Sequence, residues 1–119
     1  MSNNNSLQSD VRLKVIRLLE TNSQLSKREM AKSLGVSLGK LNYVLNALIE
    51  KGVVKTQNFT RSDNKRAYAY LLTTKGLAEK ASLTRNFLYR KIEEYDLIKK
   101  EIAELRKEIN NTGDLNNNE

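Results

Sequence analysis

Cysteine, histidine, proline and tryptophan are all absent from the 119 residues, and glycine occurs only five times. Without cysteine there are no disulfides, no thiol nucleophile and no thiol redox sensor. Without histidine there is no imidazole for acid–base work, and the two absences together remove Cys/His zinc sites. Only carboxylates are left to hold a metal or donate a proton, so no cofactor and no metal are expected. The lack of proline and scarcity of glycine favour long, unbroken helices. No apolar run approaches the ~18 residues a membrane span needs, so no membrane partner is expected. The opening MSNNNSLQSD has neither a basic segment nor an apolar one and does not read as a signal peptide. One small domain with a helical extension, in the cytoplasm, is the expectation.

What is present is positive charge, +7 overall, unevenly placed. Residues 1–76 carry 13 Lys/Arg and 5 Asp/Glu, whereas residues 77–119 carry 8 and 9. A basic body joined to a near-neutral remainder suggests two tasks. The body has the electrostatic footprint of a nucleic-acid partner. The plainer alternative is a charged surface that only keeps the chain soluble. Polar Asn tracts mark residues 1–8 and 111–119 as tails too poor in apolar surface to order.

Ser9 can cap a first helix to about Thr21, with Val11, Val15, Ile16, Leu18 and Leu19 at helical spacing. Ser26-Lys27-Arg28-Glu29 reads as a capping box, and Gly35 ends the short helix it opens. Ser37 can cap a third helix with Leu41, Val44, Leu45 and Leu48 on one face, closed by Gly52. Two strand-like runs follow, residues 53–59 and 67–72. In the second, Tyr68, Tyr70 and Leu72 alternate with Ala67, Ala69 and Leu71. The turn-prone residues 60–66 between them hold three cations. Thr73 or Thr74 then caps a helix reaching about Asn110.

Ala31, Gly35 four residues on, and Leu34, Val36, Leu41 and Val44 around them have the spacing of a helix-turn-helix. Burying the Leu/Val face of the third helix turns Gly39, Lys40, Asn42, Tyr43 and Asn46 outward. Asn can bond adenine bidentately, Lys can reach guanine or phosphate, and Tyr can meet phosphate or a thymine methyl. Ser37 and Leu38 stand at the helix N-terminus, whose free amides favour a phosphate. A merely solvated polar face is the competing reading. Gly35 to Lys40 imitates a phosphate-binding loop, but the glycine spacing is short, Leu41 replaces the magnesium-holding hydroxyl, and no strand precedes it.

Residues 26–55 and the run NKRAYAYLLTTKG (residues 64–76) together resemble the winged helix-turn-helix regulators of the MarR family. The resemblance covers roughly residues 10–95. More narrowly, the chain looks like the short subgroup found with exopolysaccharide biosynthesis genes. The family's wing pattern, Asp-x-Arg, five residues, Leu-Thr-x-x-Gly, falls here on Asn64, Arg66, Leu72, Thr73 and Gly76. Asn64 stands where the family has the aspartate that braces the wing arginine. The resemblance implies a mainly α winged-helix fold of three helices, a two-stranded wing and a long C-terminal helix. It further implies that Arg66 enters the minor groove, with Arg61 and Lys65 flanking the phosphates; in a regulator of this kind Lys27, Arg28, Lys55 and the wing are expected to set the phosphate register. Typical members carry an extra N-terminal helix that helps them to dimerise; none is expected ahead of the first helix here, so dimerisation is expected to fall on the C-terminal helix.

That helix carries Tyr95, Ile98, Ile102, Leu105 and Ile109 at alternating spacings of three and four, a heptad with 95, 102 and 109 at a. The g positions are Glu94, Glu101 and Glu108, and the e positions Lys99 and Arg106. A parallel pair sets g against e of opposite sign, whereas an antiparallel pair sets like against like. Leu88 and Ile92 extend the apolar set upstream. Intramolecular packing of this seam is the alternative.

The expected organisation is a tail at 1–8, a winged helix-turn-helix domain at 9–74, a dimerisation helix at 75–110 and a tail at 111–119. The expected function is a homodimeric transcriptional regulator that binds a pseudo-palindromic double-stranded operator, with a small organic effector left open. The alternative is a protein-interaction module. Enzymatic activity is not expected, because no set of acid, base and nucleophile can be assembled.

Overall fold

The computed structural model describes the backbone of residues 2–117 and the side chains of residues 9–113. The order is α1 (Ser2–Thr21), α2 (Lys27–Leu34), α3 (Leu38–Glu50), β1 (Val54–Thr60), β2 (Arg66–Leu72) and α4 (Thr74–Asn117). The chain divides into two compact units, Met1–Thr84 and Arg85–Glu119. The first unit is the expected winged helix.

Each helix boundary has a local cause. Ser26 accepts from the Glu29 amide at 3.1 Å while Glu29 Oε1 accepts from the Ser26 amide at 3.4 Å, so the capping box is complete. α2 ends at Gly35, whose φ of 69° is the left-handed conformation that only glycine adopts at no steric cost. The Val36 amide then donates back to the Ala31 carbonyl at 3.0 Å and ties the turn of the helix pair. Ser37 caps α3 by accepting from the Lys40 amide at 3.0 Å. Thr73 caps α4 by accepting from the Gly76 amide at 3.0 Å, and its own amide donates to the Val53 carbonyl.

The core of the first unit is Leu13, Val15, Ile16 and Leu19 of α1, Met30 and Ala31 of α2, and Leu41, Val44, Leu45 and Leu48 of α3. Val53, Val54, Ala69, Tyr70 and Leu83 close it. Burying one such Leu or Ile contributes ~1.5–3 kcal/mol. The α3 face matches the expectation residue for residue. In α1, Val11 and Leu18 are only half-buried, and Leu13 takes the central place instead.

Three expectations are corrected. α1 does not start at a Ser9 cap but at Ser2, and Ser9 instead accepts from Arg12 Nη2 at 3.1 Å. Residues 2–8 hold no proline or glycine, so each added residue extends an existing helix at little cost. At the other end α4 passes Asn110 and reaches Asn117. Gly113 alone costs only ~1 kcal/mol, too little to stop it. What the two tail expectations say of residues 1, 118 and 119 lies outside the described residues. Finally, the first unit runs past residue 74 to Thr84. Ion pairs from Arg12 to Glu79 at 3.8 Å and from Lys80 to Glu20 at 2.6 Å, with buried Leu83, hold the first turns of α4 on α1.

The two strands form one antiparallel hairpin, with Val54 opposite Leu72 and Thr60 opposite Arg66. Arg66 is therefore the first strand residue, not part of the loop. The loop is Ser62-Asp63-Asn64, closed by the Arg61 amide donating to the Lys65 carbonyl at 2.8 Å and the Asn64 amide to the Arg61 carbonyl at 2.9 Å. Asn64 sits at φ 62°, a left-handed position that asparagine tolerates better than most residues.

Candidate nucleic-acid interface

α3 presents Gly39, Tyr43 and Asn46 to solvent, and Tyr43 is 64% exposed. Lys40 is half-buried, with its ammonium 5.9 Å from the Tyr43 ring centre. Ser37 and Leu38 are exposed at the helix start, as expected. Asn42 departs from the outward face: it is half-buried, and its Oδ1 is shut off from solvent with no hydrogen-bond partner among the described residues. At 100° per residue, position 42 falls on the flank next to the buried Leu41/Leu45 stripe, and it faces β2 across a groove.

β2 is placed there by one backbone bond: the Tyr70 amide donates to the Ser23 carbonyl in the α1–α2 turn at 2.9 Å. The result is a groove of about 500 Å³ between the start of α2, the start of α3 and the wing. Lys27, Arg28, Leu38, Asn42, Arg61 and Arg66, six of the expected contact residues, line it together with Gln24, Tyr68 and Tyr70. No carboxylate lines it among the described residues. A second groove of about 310 Å³ holds Asn46 beside Lys27, Thr56, Tyr68 and Tyr70. Tyr68, 57% exposed, and Tyr70, buried, thus face both grooves. Sequence reasoning did not single out Tyr68 as a contact residue. The signal was its place two residues beyond Arg66, which puts both side chains on the same strand face.

Lys55 and Lys65 are exposed but line neither groove, and Asn64 is exposed at the hairpin tip. The wing does keep a carboxylate. Asp63 Oδ1 lies 4.0 Å from Arg61 Nε and accepts from the Lys65 amide at 3.2 Å. It therefore sits against Arg61 and the turn, one position before Asn64 and away from Arg66. Burial raises the Tyr70 hydroxyl above the ordinary tyrosine pKa, with the neighbouring Tyr68 adding to the effect. Tyr70 is consequently a neutral hydrogen-bonding group wherever the protein is folded near neutrality.

Chemically, the arrangement offers a row of cations at phosphate-reaching lengths, a helix N-terminus with free amides, and amide and phenol side chains between them. Among the described residues no cluster of three or more acidic groups could hold a metal ion. None of the helices is long and apolar enough to cross a membrane.

Residues 8–55 match a family profile described as winged helix-turn-helix DNA-binding. No curated protein matches the chain. Among solved structures, apo wild-type MarR from E. coli is similar at 27% identity and a TM-score of 0.52, over 63% of this chain and 54% of that one. The chain spans about half the length of that MarR chain. A PadR-like transcriptional regulator from Bacillus cereus is 14% identical with a TM-score of 0.66, over 74% of this chain and 90% of that one. A MarR/EmrR family regulator from Acinetobacter sp. ADP1 is 20% identical with a TM-score of 0.53, over 84% and 75%. The first unit has the winged helix-turn-helix architecture that the matched profile describes.

Proposed function

We propose that this chain is a sequence-specific regulator of transcription that binds double-stranded DNA as a homodimer in the cytoplasm. The first unit reads DNA, and α4 beyond Thr84 joins the two copies. The observation that carries the reading is the convergence of Lys27, Arg28, Arg61 and Arg66 with Leu38 and Asn42 on one carboxylate-free groove. α3 enters the major groove with Tyr43 and Asn46 toward base edges, and Arg66 reaches the adjacent minor groove, where narrow A·T tracts concentrate negative potential. Lys27, Arg28, Lys55, Arg61 and Lys65 take phosphates and fix the register. Two such helices read successive major grooves of a pseudo-palindrome, ~34 Å apart.

The resemblance to the exopolysaccharide-associated subgroup extends the proposal to the genes controlled, and any effector of this dimer would be a small organic molecule or a protein. The test is selection from a random duplex library at physiological salt. One inverted repeat with half-sites about a turn apart supports the reading, and the location of matching sites beside polysaccharide genes supports its extension. Recovery of no motif, with retention that vanishes as salt rises, overturns it in favour of a protein-interaction module.

A further inference from the structure

Within the second unit, residues 85–109 of α4 keep one apolar line uncovered. Leu88, Ile92, Tyr95, Ile98, Ile102, Leu105 and Ile109 are all exposed, between 43% and 71%. An exposed line of this length on a single helix calls for a partner, and its flanks say which one.

The heptad of residues 95–109 extends backwards without a break in phase. Leu88 falls at a, Phe87 at g and Ile92 at e. In a parallel, in-register pair each g residue meets the e residue five positions on in the other copy. Those pairs are Phe87 with Ile92, Glu94 with Lys99 and Glu101 with Arg106. The first is apolar on both sides and the other two are opposite in sign. An antiparallel pair would oppose glutamates to glutamates and cations to cations. In the C-terminal layers Ile102 and Ile109 at a with Leu105 at d favour two strands, whereas Ile98 at d and Leu88 at a do not add to that preference.

One layer breaks the pattern. Lys91 falls at d, where its ammonium bonds Glu94 Oε2 of its own helix at 3.1 Å and lies 5.1 Å from the Phe87 ring centre. Both side chains of the ion pair are more than half exposed, so the ammonium stays solvated. A single polar layer of this kind lowers stability and penalises shifted registers, because any slip sets lysine against an apolar residue.

We infer that residues 88–109 pair with the same residues of a second copy as a parallel, in-register, two-stranded coiled coil. The inference rests on the homodimer of the proposed function and adds its orientation and register. It is carried by the match of charge or apolarity across the three g–e pairs of residues 87–106.

The chain has no cysteine, so a single introduced one is an unambiguous probe. Leu88→Cys and Ile109→Cys, made separately in the full chain and oxidised mildly, are both expected to run mainly as covalent dimers. Parallel a positions face each other within disulfide reach. Lys107→Cys, on the outer f position, is expected to stay uncross-linked. An antiparallel pair would leave both end variants single and link them only when mixed, and a chain that sediments as a monomer would link in neither case. Either outcome overturns the inference. Both sites are exposed, so loss of fold does not confound the result. A chain that selects an inverted repeat yet fails both self-links loses the coil and keeps the regulator reading. One that links at both positions yet selects no DNA motif does the reverse.

Discussion

The α-carbon of Gly76 lies so close to the carbonyl oxygen of Val53 that an added methyl would collide with it and with the Leu72 side chain. Thr73 holds the contact: its amide donates to the Val53 carbonyl, its hydroxyl donates to the Gly52 and Val53 carbonyls, and the same hydroxyl receives the Gly76 amide. The Leu-Thr-x-x-Gly spacing is thus the joint at which the wing root, the end of α3 and the start of α4 are locked together. Gly76→Ala should gain ~0.5–1 kcal/mol of helix propensity and lose ~1–3 kcal/mol to overpacking. A net loss in urea unfolding is expected. A net gain would show that the joint relaxes freely.

Arg66→Ala should weaken operator binding, reduce the slope of log affinity against log salt by ~1, and flatten the preference for A·T pairs beside each half-site. Arg61→Ala, at a residue braced by Asp63, should lose affinity without changing that preference. Titrations of both variants at several salt concentrations check the pair. Equal loss of A·T preference would mean that the minor-groove contact is not assigned to Arg66 alone.

The two α3 asparagines should behave differently. Asn46→Ala removes an exposed amide and is expected to relax specificity at one base pair, at ~1–3 kcal/mol, with unchanged stability. Asn42 already carries a buried, unpartnered oxygen, so Asn42→Ala in the free protein should be neutral or stabilising. Its DNA binding should still fall if docking supplies the missing donor. Thermal unfolding and operator affinity measured on the same samples separate the two effects.

Tyr70 gives a pH prediction with a definite sign. The folded protein holds the phenol proton more tightly than the unfolded chain does, so its contribution is level below pH ~10. Above that the unfolded chain sheds the proton first, and stability falls as pH climbs. Urea midpoints from pH 8 to 11 should drop more steeply for the native sequence than for Tyr70→Phe. Parallel curves would remove the burial effect.

Much of this was legible in the sequence because its causes are local. Ser26, Glu29, Gly35 and Ser37 set the ends of α2 and α3 through bonds spanning three to five residues. The 3.6-residue period placed Leu41, Val44, Leu45 and Leu48 in the core before any fold was known. Absences did as much: without proline or more glycine nothing in the chain could break α4, and it runs even further than its caps suggested. The charge split, likewise, needs only counting.

What the chain could not show is which flank of an element a distant neighbour covers. The alternation in β2 separates Ala69 from Tyr70, yet both are buried, because the body closes over the strand root from more than one side. Helical spacing turns Asn42 outward, yet it is half-buried with its Oδ1 shut off from solvent. Tyr68 enters both grooves because the Tyr70–Ser23 bond ties β2 to the α1–α2 turn. Asp63 meets Arg61 because a three-residue loop with Asn64 left-handed points it there. Periodicity fixes the faces that an element has. Only long-range contacts, unreadable from spacing, decide which of them meet solvent and which meet one another.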